Sequence, residues 1–183
     1  GGDIAPLPDL VQVCRKYDAR LMVDDAHAMG VLGNGKGTAA HFGVTDQVDL
    51  IMGTFSKSFA SLGGFIAGDA TVVHYIQHFA RSLIFSASIP AANAAAALAA
   101  LDIMIEEPHR SQRVMAIGDR MRKGFRELGF NVGNSQTPIV PVIIGEDMAT
   151  IVTWKMLFDA GVYTNAVIPP AVLEGQALLR TSY

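Results

Sequence analysis

The sequence predicts an α/β fold. Helical patterns alternate with short apolar runs through roughly the first hundred residues, an arrangement typical of α/β domains. Half of the 183 residues are hydrophobic and 17% are charged, so the chain can form a packed core and is not generally disordered. Loops rich in glycine or hydroxyl side chains follow the apolar runs, and ligands gather at such strand ends in α/β sheets.

The first elements are a helix followed by three strands. Apolar residues with one-sided spacing predict a helix over residues 8–17. Short apolar runs predict strands at residues 20–24, 48–52 and 64–67. Continuous runs of this kind are typical of strands buried on both faces of a parallel sheet. The sequence therefore predicts a buried, parallel arrangement for this part of the chain.

A more helical segment comes next. Asp69 is suited to cap a helix that runs to Ala80, because a carboxylate at this position accepts from free backbone amides. Residues 83–85 are predicted to form a short strand. An alanine-rich helix is then predicted from Pro90 onward.

The pattern changes after Pro108. A charged amphipathic helix is expected at residues 110–128 and a second helix at residues 149–160, each closed by a glycine. Strands are expected at residues 139–144, 162–165 and 177–181. These elements predict a second domain with its boundary near residue 106, so that the domains comprise residues 1–105 and 106–183.

Charge and cysteine content exclude several classes of protein. The 14 basic and 17 acidic side chains give a net charge of −3, with no basic run, so we expect no nucleic-acid partner. Cys14 is the only cysteine, which excludes an internal disulfide and a cysteine zinc cluster and favours a reducing, cytoplasmic location. His74 and His78 have helical spacing but no accompanying glutamate, and we expect no metal site.

The most apolar stretch, residues 91–105, is mostly alanine and contains Asn93 and Asp102. A spanning helix needs about 20 strongly apolar residues. We therefore expect at most a peripheral association with membranes. The first residues have neither an initiator methionine nor the pattern of a signal peptide, so we expect a piece of a longer protein.

Reactive side chains follow the predicted strands. Asp24, Asp25 and His27 follow the first strand, and the hydroxyls of Thr54, Ser56 and Ser58 surround Lys57 after the second. A loop lysine is usually a solvated charge, but a lysine among hydroxyls also suits a Schiff base to a phosphate-bearing cofactor. A nucleotide-hydrolase phosphate loop needs glycine before the lysine, where this chain has Ser56.

The other candidates each allow two interpretations. Asp24 either caps a turn or partners the ring nitrogen of a pyridoxal cofactor, and His27 is either an ordinary loop histidine or a contact to the same ring. Arg180 either forms a structural ion pair or binds a substrate carboxylate. Ser86 and Ser88 are either helix-start hydroxyls or anion ligands.

Three segments resemble the α-oxoamine synthases, which are fold-type I pyridoxal-phosphate (PLP) enzymes. They are residues 21–27 (Leu-Met-Val-Asp-Asp-Ala-His), 53–58 (Gly-Thr-Phe-Ser-Lys-Ser) and 178–181 (Leu-Leu-Arg-Thr). Residues 56–64 are most similar to the serine palmitoyltransferase branch, although Ile168 stands where some bacterial members have arginine. The resemblance implies an aspartate aminotransferase-like fold with part of the large cofactor domain and most of the small C-terminal domain.

The resemblance also implies a role for each candidate residue. Lys57 is the expected Schiff-base lysine and general base, Asp24 the partner of the pyridine nitrogen, and His27 the donor to the phenolic oxygen of the cofactor. Thr54 and Ser56 are expected to contact the phosphate, and Arg180 to bind the substrate carboxylate. Ser86 and Ser88 are expected to contact the phosphate of a neighbouring subunit.

The implied reaction is the decarboxylative condensation of a small amino acid, with L-serine expected, and an acyl-CoA or acyl-carrier thioester. The product is an α-amino ketone, and the implied assembly is a homodimer. Three alternatives stay open. They are a glycine- or alanine-using member of the 8-amino-7-oxononanoate synthase or 2-amino-3-ketobutyrate CoA ligase type, a catalytically silent partner subunit, and a plain nucleotide-binding module.

Overall fold

A computed structural model describes residues 1–183 of the chain. It divides into two compact units, one of residues 5–112 and one of residues 1–4 with 113–183, and each is described by itself. The first unit begins with α1 (Leu7–Lys16), β1 (Met22–Asp24) and the short α2 (Thr38–His41). It continues with a 3-10 turn (Thr45–Gln47), β2 (Leu50–Thr54), β3 (Gly64–Gly68), α3 (Ala70–Phe79), α4 (Arg81–Ile84) and α5 (Ala91–Glu106).

The three strands of the first unit form one sheet in the order β1-β2-β3. β1 and β2 are parallel, with Asp24 opposite Met52. β3 runs antiparallel to β2, with Gly64 opposite Thr54, so the expectation of an all-parallel sheet is wrong for β3. The reason is the short connection, residues 55–63, because a parallel pair needs a crossover of about a dozen residues or more.

The core of this unit lies on one face of the sheet. Leu7 and Val11 of α1 pack with Ala39 and Val44. Partly buried side chains in or just before the two parallel strands join them: Leu21, Val23, Val48 and Ile51. Met22, which points to the opposite face, is 55% exposed. Within this chain only one face of β1 is covered, which differs from the predicted burial on both faces.

The helical segment follows the sequence prediction except at one place. Asp69 caps α3 as predicted, and its carboxylate accepts from the Thr71 amide at 2.8 Å. The predicted strand at residues 83–85 is wrong, because α4 occupies this position. The amides of Leu83 and Ile84 both donate to the carbonyl of Ala80, which closes a helical turn that an apolar pattern three residues long cannot distinguish from a strand.

The division between the units falls within α6 (His109–Glu127). The second unit contains β4 (Ile139–Gly145), α7 (Asp147–Asp159), β5 (Asn165–Val167) and β6 (Ala177–Ser182). Its strands form an antiparallel sheet in the order β4-β6-β5. β5 begins later than the predicted strand at residues 162–165, and the predicted domain boundary near residue 106 stays a prediction. No helix in the chain has both the length and the apolar character needed to cross a bilayer.

Candidate functional site

The carboxyl ends of β1 and β2 lie at the same edge of the first sheet. Parallel pairing places Asp24 at the end of β1, beside β2, which ends at Thr54. The Asp25 amide donates to the Met52 carbonyl at 2.8 Å, so the chain leaving β1 stays attached to β2 for one more residue. The sheet therefore brings the Asp24 and Thr54 segments, which are far apart in sequence, to one edge.

Asp24, the last residue of β1, and His27, on the turn that follows β1, are both exposed. The Asp24 carboxylate accepts from the Ala26 amide at 2.9 Å, which leaves its second oxygen available to a ligand. The amides of Ala28 and Met29 donate to the carbonyl of Asp25 at 2.9 and 3.0 Å, and these bonds define the turn that carries His27. The carboxylate and the imidazole thus lie close together in the chain on an ordered, accessible turn.

The lysine loop, residues 55–63, follows β2. The hydroxyl oxygens of Thr54 and Ser56 are 2.8 Å apart, and the Thr54 hydroxyl also donates to the Gly63 carbonyl at 3.1 Å. Lys57 is exposed and forms no ion pair, and its carbonyl accepts from the Ala60 amide at 2.9 Å. A primary amine therefore lies within a few residues of two paired hydroxyls.

Aromatic side chains support the lysine loop. Phe59 is 6% exposed, and the ring centroids of Phe55 and Phe65 lie 5.3 and 6.4 Å from its own. These distances are typical of favourable ring contacts in a core. The Phe55 amide also donates to the Gly63 carbonyl at 2.8 Å, which closes the loop at its base. The loop is therefore a packed element with an exposed tip.

The turn after β1 and the lysine loop meet at Gly30 and Ser58. A Cβ atom on Gly30 would lie 2.6 Å from the Ser58 Cβ, which is closer than side chains tolerate. Gly30 also has a φ of +80°, which favours glycine. The two segments that carry the candidate residues are thus in direct contact beside Lys57.

A cavity of about 490 Å³ opens next to this edge. Thr54, Gly63 and Gly64 contribute to its wall, together with apolar side chains of β2, β3, α3 and α4 that include Phe65, Ile76 and Leu83. Lys57 does not line it. The cavity is mainly apolar and touches the site through Thr54.

The remaining predicted residues lie elsewhere. Ser86 and Ser88 are exposed after α4; the Ser86 hydroxyl donates to the carbonyl of Ser82, and neither serine bonds to a strand-end residue. Arg180 belongs to the second unit, on β6 opposite Pro141 of β4 and Asn165 of β5. Its Nε atom is buried without a hydrogen-bond partner in the chain. The first unit therefore groups Asp24, His27, Thr54, Ser56 and Lys57 in two adjoining segments.

Sequence reasoning gave no structural role to two features of this edge. Asp25, which the sequence places after the first strand without a role of its own, is 1% exposed, and its carboxylate accepts from the Thr38 amide. No group of three or more His, Cys, Asp or Glu side chains is placed to hold a metal ion. The phenylalanine cluster was also missed, although the recurrence of phenylalanine at 55, 59 and 65 is a signal that the sequence contains.

A family model described as "Aminotransferase class I and II" matches residues 1–183. The chain belongs to the aminotransferase class I and II family. Curated members of this family include the serine palmitoyltransferase of Sphingobacterium spiritivorum, with 50% identity over 99% of this chain and 46% of the relative. The serine palmitoyltransferase of Bacteriovorax stolpii is 48% identical over 100% of this chain and 44% of the relative. The 8-amino-7-oxononanoate synthase of Alkaliphilus oremlandii is 43% identical over 98% of this chain and 46% of the relative.

Solved structures of serine palmitoyltransferases also match this chain. A serine palmitoyltransferase from Sphingomonas wittichii superposes with a TM-score of 0.93 at 33% identity, over 100% of this chain and 46% of that one. A serine palmitoyltransferase whose structure was determined with PLP has the same TM-score and identity, and the match covers 99% of this chain and 46% of that one. The predicted fold-type I fold and the resemblance to the α-oxoamine synthases are confirmed. The chain spans about half the length of the relatives it matches.

Proposed function

We propose that the chain is part of a PLP-dependent acyltransferase that condenses a small amino acid, L-serine, with an acyl-CoA thioester and releases CoA and carbon dioxide. The observation that carries the proposal is the edge of the first sheet, where Asp24 and the Thr54–Ser56–Lys57 segment follow adjacent parallel strands. Identities of 46 to 50% with proteins named serine palmitoyltransferase support the reaction and the amino acid.

The side chains at this edge fit PLP chemically. The cofactor needs an amine for its aldehyde, hydroxyl donors for its phosphate and a carboxylate for its ring nitrogen. Lys57 offers an accessible amine without an ion pair, and Thr54 and Ser56 offer two hydroxyls whose oxygens lie 2.8 Å apart. Asp24 offers an exposed carboxylate, of which Oδ1 accepts from the Ala26 amide. This donor set supports PLP more strongly than a plain nucleotide-binding module, which has no use for the amine.

We assign the cofactor-binding roles as follows. Lys57 would hold PLP covalently through Nζ, and Thr54 and Ser56 would donate to the phosphate. Asp24 would hold a proton at the ring nitrogen, and His27 would donate to the phenolic oxygen. When bound, PLP supplies an electron sink for the negative charge that develops at the Cα atom of the amino acid. Ser86 and Ser88 stay proposed phosphate ligands for a neighbouring subunit.

Two residues act on the amino acid in this proposal. The Lys57 amine would accept the Cα proton of the amino acid as a general base. Arg180 binds the carboxylate of the amino acid through its guanidinium, whose planar donors match a carboxylate. The buried Nε atom of Arg180, which has no partner in the chain, supports a polar ligand for this side chain.

A second function within the same family is supported by the relatives named 8-amino-7-oxononanoate synthase, at 40 to 45% identity, and by Ile168 in place of the arginine expected from the serine palmitoyltransferase branch. In that case the amino acid is alanine or glycine and the acyl group is shorter. A silent partner subunit is less well supported, because the chain retains Lys57. A homodimer, a cytoplasmic location and at most peripheral membrane association complete the proposal.

Borohydride reduction of the full-length protein loaded with PLP, followed by peptide mapping, tests the cofactor assignment. We expect one stable label, on Lys57. A label on another lysine would refute the assignment of Lys57, and a protein that binds no PLP would refute the function itself. Lys36, an exposed lysine on the neighbouring loop, is the internal control that must stay unlabelled.

The amino acid is tested separately, by titrating the absorbance of the PLP-loaded protein with serine, glycine and alanine. We expect serine to change the spectrum at the lowest concentration. An equal response to all three would remove the serine preference, and a response to alanine or glycine alone would favour the second function.

A further inference from the structure

We propose that Asp25 is a positioning residue that holds the glycine-rich loop, residues 26–37, in the conformation that the site requires. The proposal rests on the proposed function, because the groups to be positioned are Asp24, His27 and Lys57. Asp25 itself contacts none of the reacting groups in this assignment. It acts through the backbone on both sides of the edge.

Asp25 connects three parts of the first unit. Its amide donates to the Met52 carbonyl of β2, and its carbonyl accepts from the amides of Ala28 and Met29. Its Oδ2 atom accepts from the Thr38 amide at 2.8 Å, where α2 begins. One residue thus attaches the end of β1 to β2, shapes the turn that carries His27, and fixes the far end of the loop.

The carboxylate is built into the structure rather than exposed to solvent. Asp25 is 1% exposed, and its Oδ1 atom is buried without a partner in the chain. Burying a carboxylate is costly, and the hydrogen bond from the Thr38 amide offsets part of this cost. Gly37 has a φ of +95°, and a Cβ atom there would lie within van der Waals overlap of Asp25 Oδ2. The loop backbone therefore approaches the carboxylate as closely as only glycine allows.

The loop that Asp25 fixes continues to the lysine loop. Inside it, the Gly30 amide donates to the Gly35 carbonyl at 2.9 Å, and Met29 forms a β-bridge with Lys36. Gly30 then packs against Ser58, the residue after Lys57. A change at Asp25 would therefore reach the lysine loop through the backbone of residues 26–37 and the contact of Gly30 with the Ser58 side chain.

Exposure explains why this support matters for the site. Asp24, His27 and Lys57 are all exposed in the chain, so none of them is held by burial in the core. Their positions depend on the backbone that carries them, and catalytic groups tolerate only small displacements. The buried neighbour Asp25 supplies this constraint next to Asp24.

The test uses the full-length protein and three variants. Asp25→Ala removes the acceptor. Asp25→Asn keeps an oxygen that can accept from the Thr38 amide. Thr38→Pro removes the donor while leaving Asp25 intact, and proline is tolerated at the first position of a helix. The measurements are the PLP dissociation constant, the absorbance maximum of the bound cofactor, and amide hydrogen exchange of residues 26–37 and 55–61 without cofactor.

We expect Asp25→Ala to weaken PLP binding by about tenfold to a hundredfold, the range for a lost hydrogen bond to a charged group, and to shift the absorbance maximum. Amide exchange in both loops should accelerate. Thr38→Pro should act in the same direction, and Asp25→Asn should restore most of the affinity. If Asp25→Ala fails to fold, the PLP affinity and amide exchange of Asp25→Asn and Thr38→Pro, each compared with wild type, test the role of Asp25.

Three results would overturn the role of Asp25. They are PLP affinity of Asp25→Ala or Thr38→Pro within twofold of wild type, exchange that stays slow at residues 55–61, and an Asp25→Asn variant as impaired as Thr38→Pro. These results differ from failure of the proposed function, which appears as a wild-type protein that binds no PLP.

Discussion

The hydroxyl of Ser61 donates a hydrogen bond to the backbone carbonyl of Asn93, 2.7 Å away. Ser61 lies in the lysine loop, and Asn93 lies in the first turn of α5. The bond is partly buried and joins segments 32 residues apart, so it attaches the loop to α5. The position of Lys57 therefore depends on α5 as well as on the strand that precedes it.

Replacing Ser61 should loosen this loop. Ser61→Ala removes the donor, and we expect a loss of about 1 kcal/mol in the free energy of unfolding together with faster amide exchange at residues 55–63. Ser88→Ala is the matched control, since Ser88 is exposed and forms no hydrogen bond. Urea unfolding and hydrogen exchange measure the two effects. Equal behaviour of the two variants would show that the bond contributes nothing.

Removing the Lys57 side chain should abolish turnover without unfolding the protein. Lys57 is exposed and unpaired, so Lys57→Ala should change the free energy of unfolding by no more than about 0.5 kcal/mol. Loss of a general base should lower kcat by at least about a hundredfold. Lys36→Ala, at another exposed lysine of the same unit, should change neither quantity. Turnover of Lys57→Ala near the wild-type rate would remove Lys57 from the mechanism.

Gly53 is required by a close contact rather than by its backbone angle. A Cβ atom there would lie 2.4 Å from the Phe65 ring, so Gly53→Ala should destabilise the protein by about 1–3 kcal/mol. Gly43→Ala is the control for backbone strain, since Gly43 has a φ of +67° and open space around it. We expect Gly43→Ala to lower the free energy of unfolding by less than Gly53→Ala does.

The clash at Gly53 can be tested by removing the ring it meets. In the double variant Gly53→Ala/Phe65→Ala, the measured loss should be smaller than the sum of the two single losses. Urea unfolding of the four proteins gives this coupling. Strict additivity would contradict the contact.

Low pH should lower the stability of the folded protein partly through protonation of Asp49. The hydrogen bond from the Leu21 amide, with help from Arg20, holds the pKa of the Asp49 carboxyl below its usual value of 3.8. A lowered folded-state pKa contributes stability above the unfolded-state pKa, and this contribution is lost as the pH falls through the folded-state value.

We therefore expect Asp49→Asn to be less stable than wild type at pH 7, and the difference to shrink as the pH falls below 3.8. Melting temperatures of both proteins across this range provide the measurement. A difference that stays constant with pH would contradict the assignment to Asp49 ionisation.

Local elements could be predicted because their signals are local. The α3 cap at Asp69 depends on a carboxylate two residues before the amide it binds, and the start of α5 depends on Pro90. The direction of a strand and the conformation of a short apolar segment could not be predicted in the same way. The antiparallel β3 follows from the length of the loop before it, and the helical α4 follows from two amides that share the Ala80 carbonyl.

At the site, Asp24 and Asp25 show most clearly what the sequence could not predict. Asp24 ends β1 and Asp25 follows it. Nothing in their spacing says which is buried, because that depends on a partner 13 residues from Asp25, the Thr38 amide. The sequence by itself was enough to predict the α/β class from its short-range patterns, the family from the resemblance of its motifs, and a set of candidate site residues at the strand ends. Only the tertiary structure decided which strands run in parallel, which carboxylate is buried and which loops touch beside Lys57. Those features arise from contacts between distant segments, whose geometry no local pattern encodes.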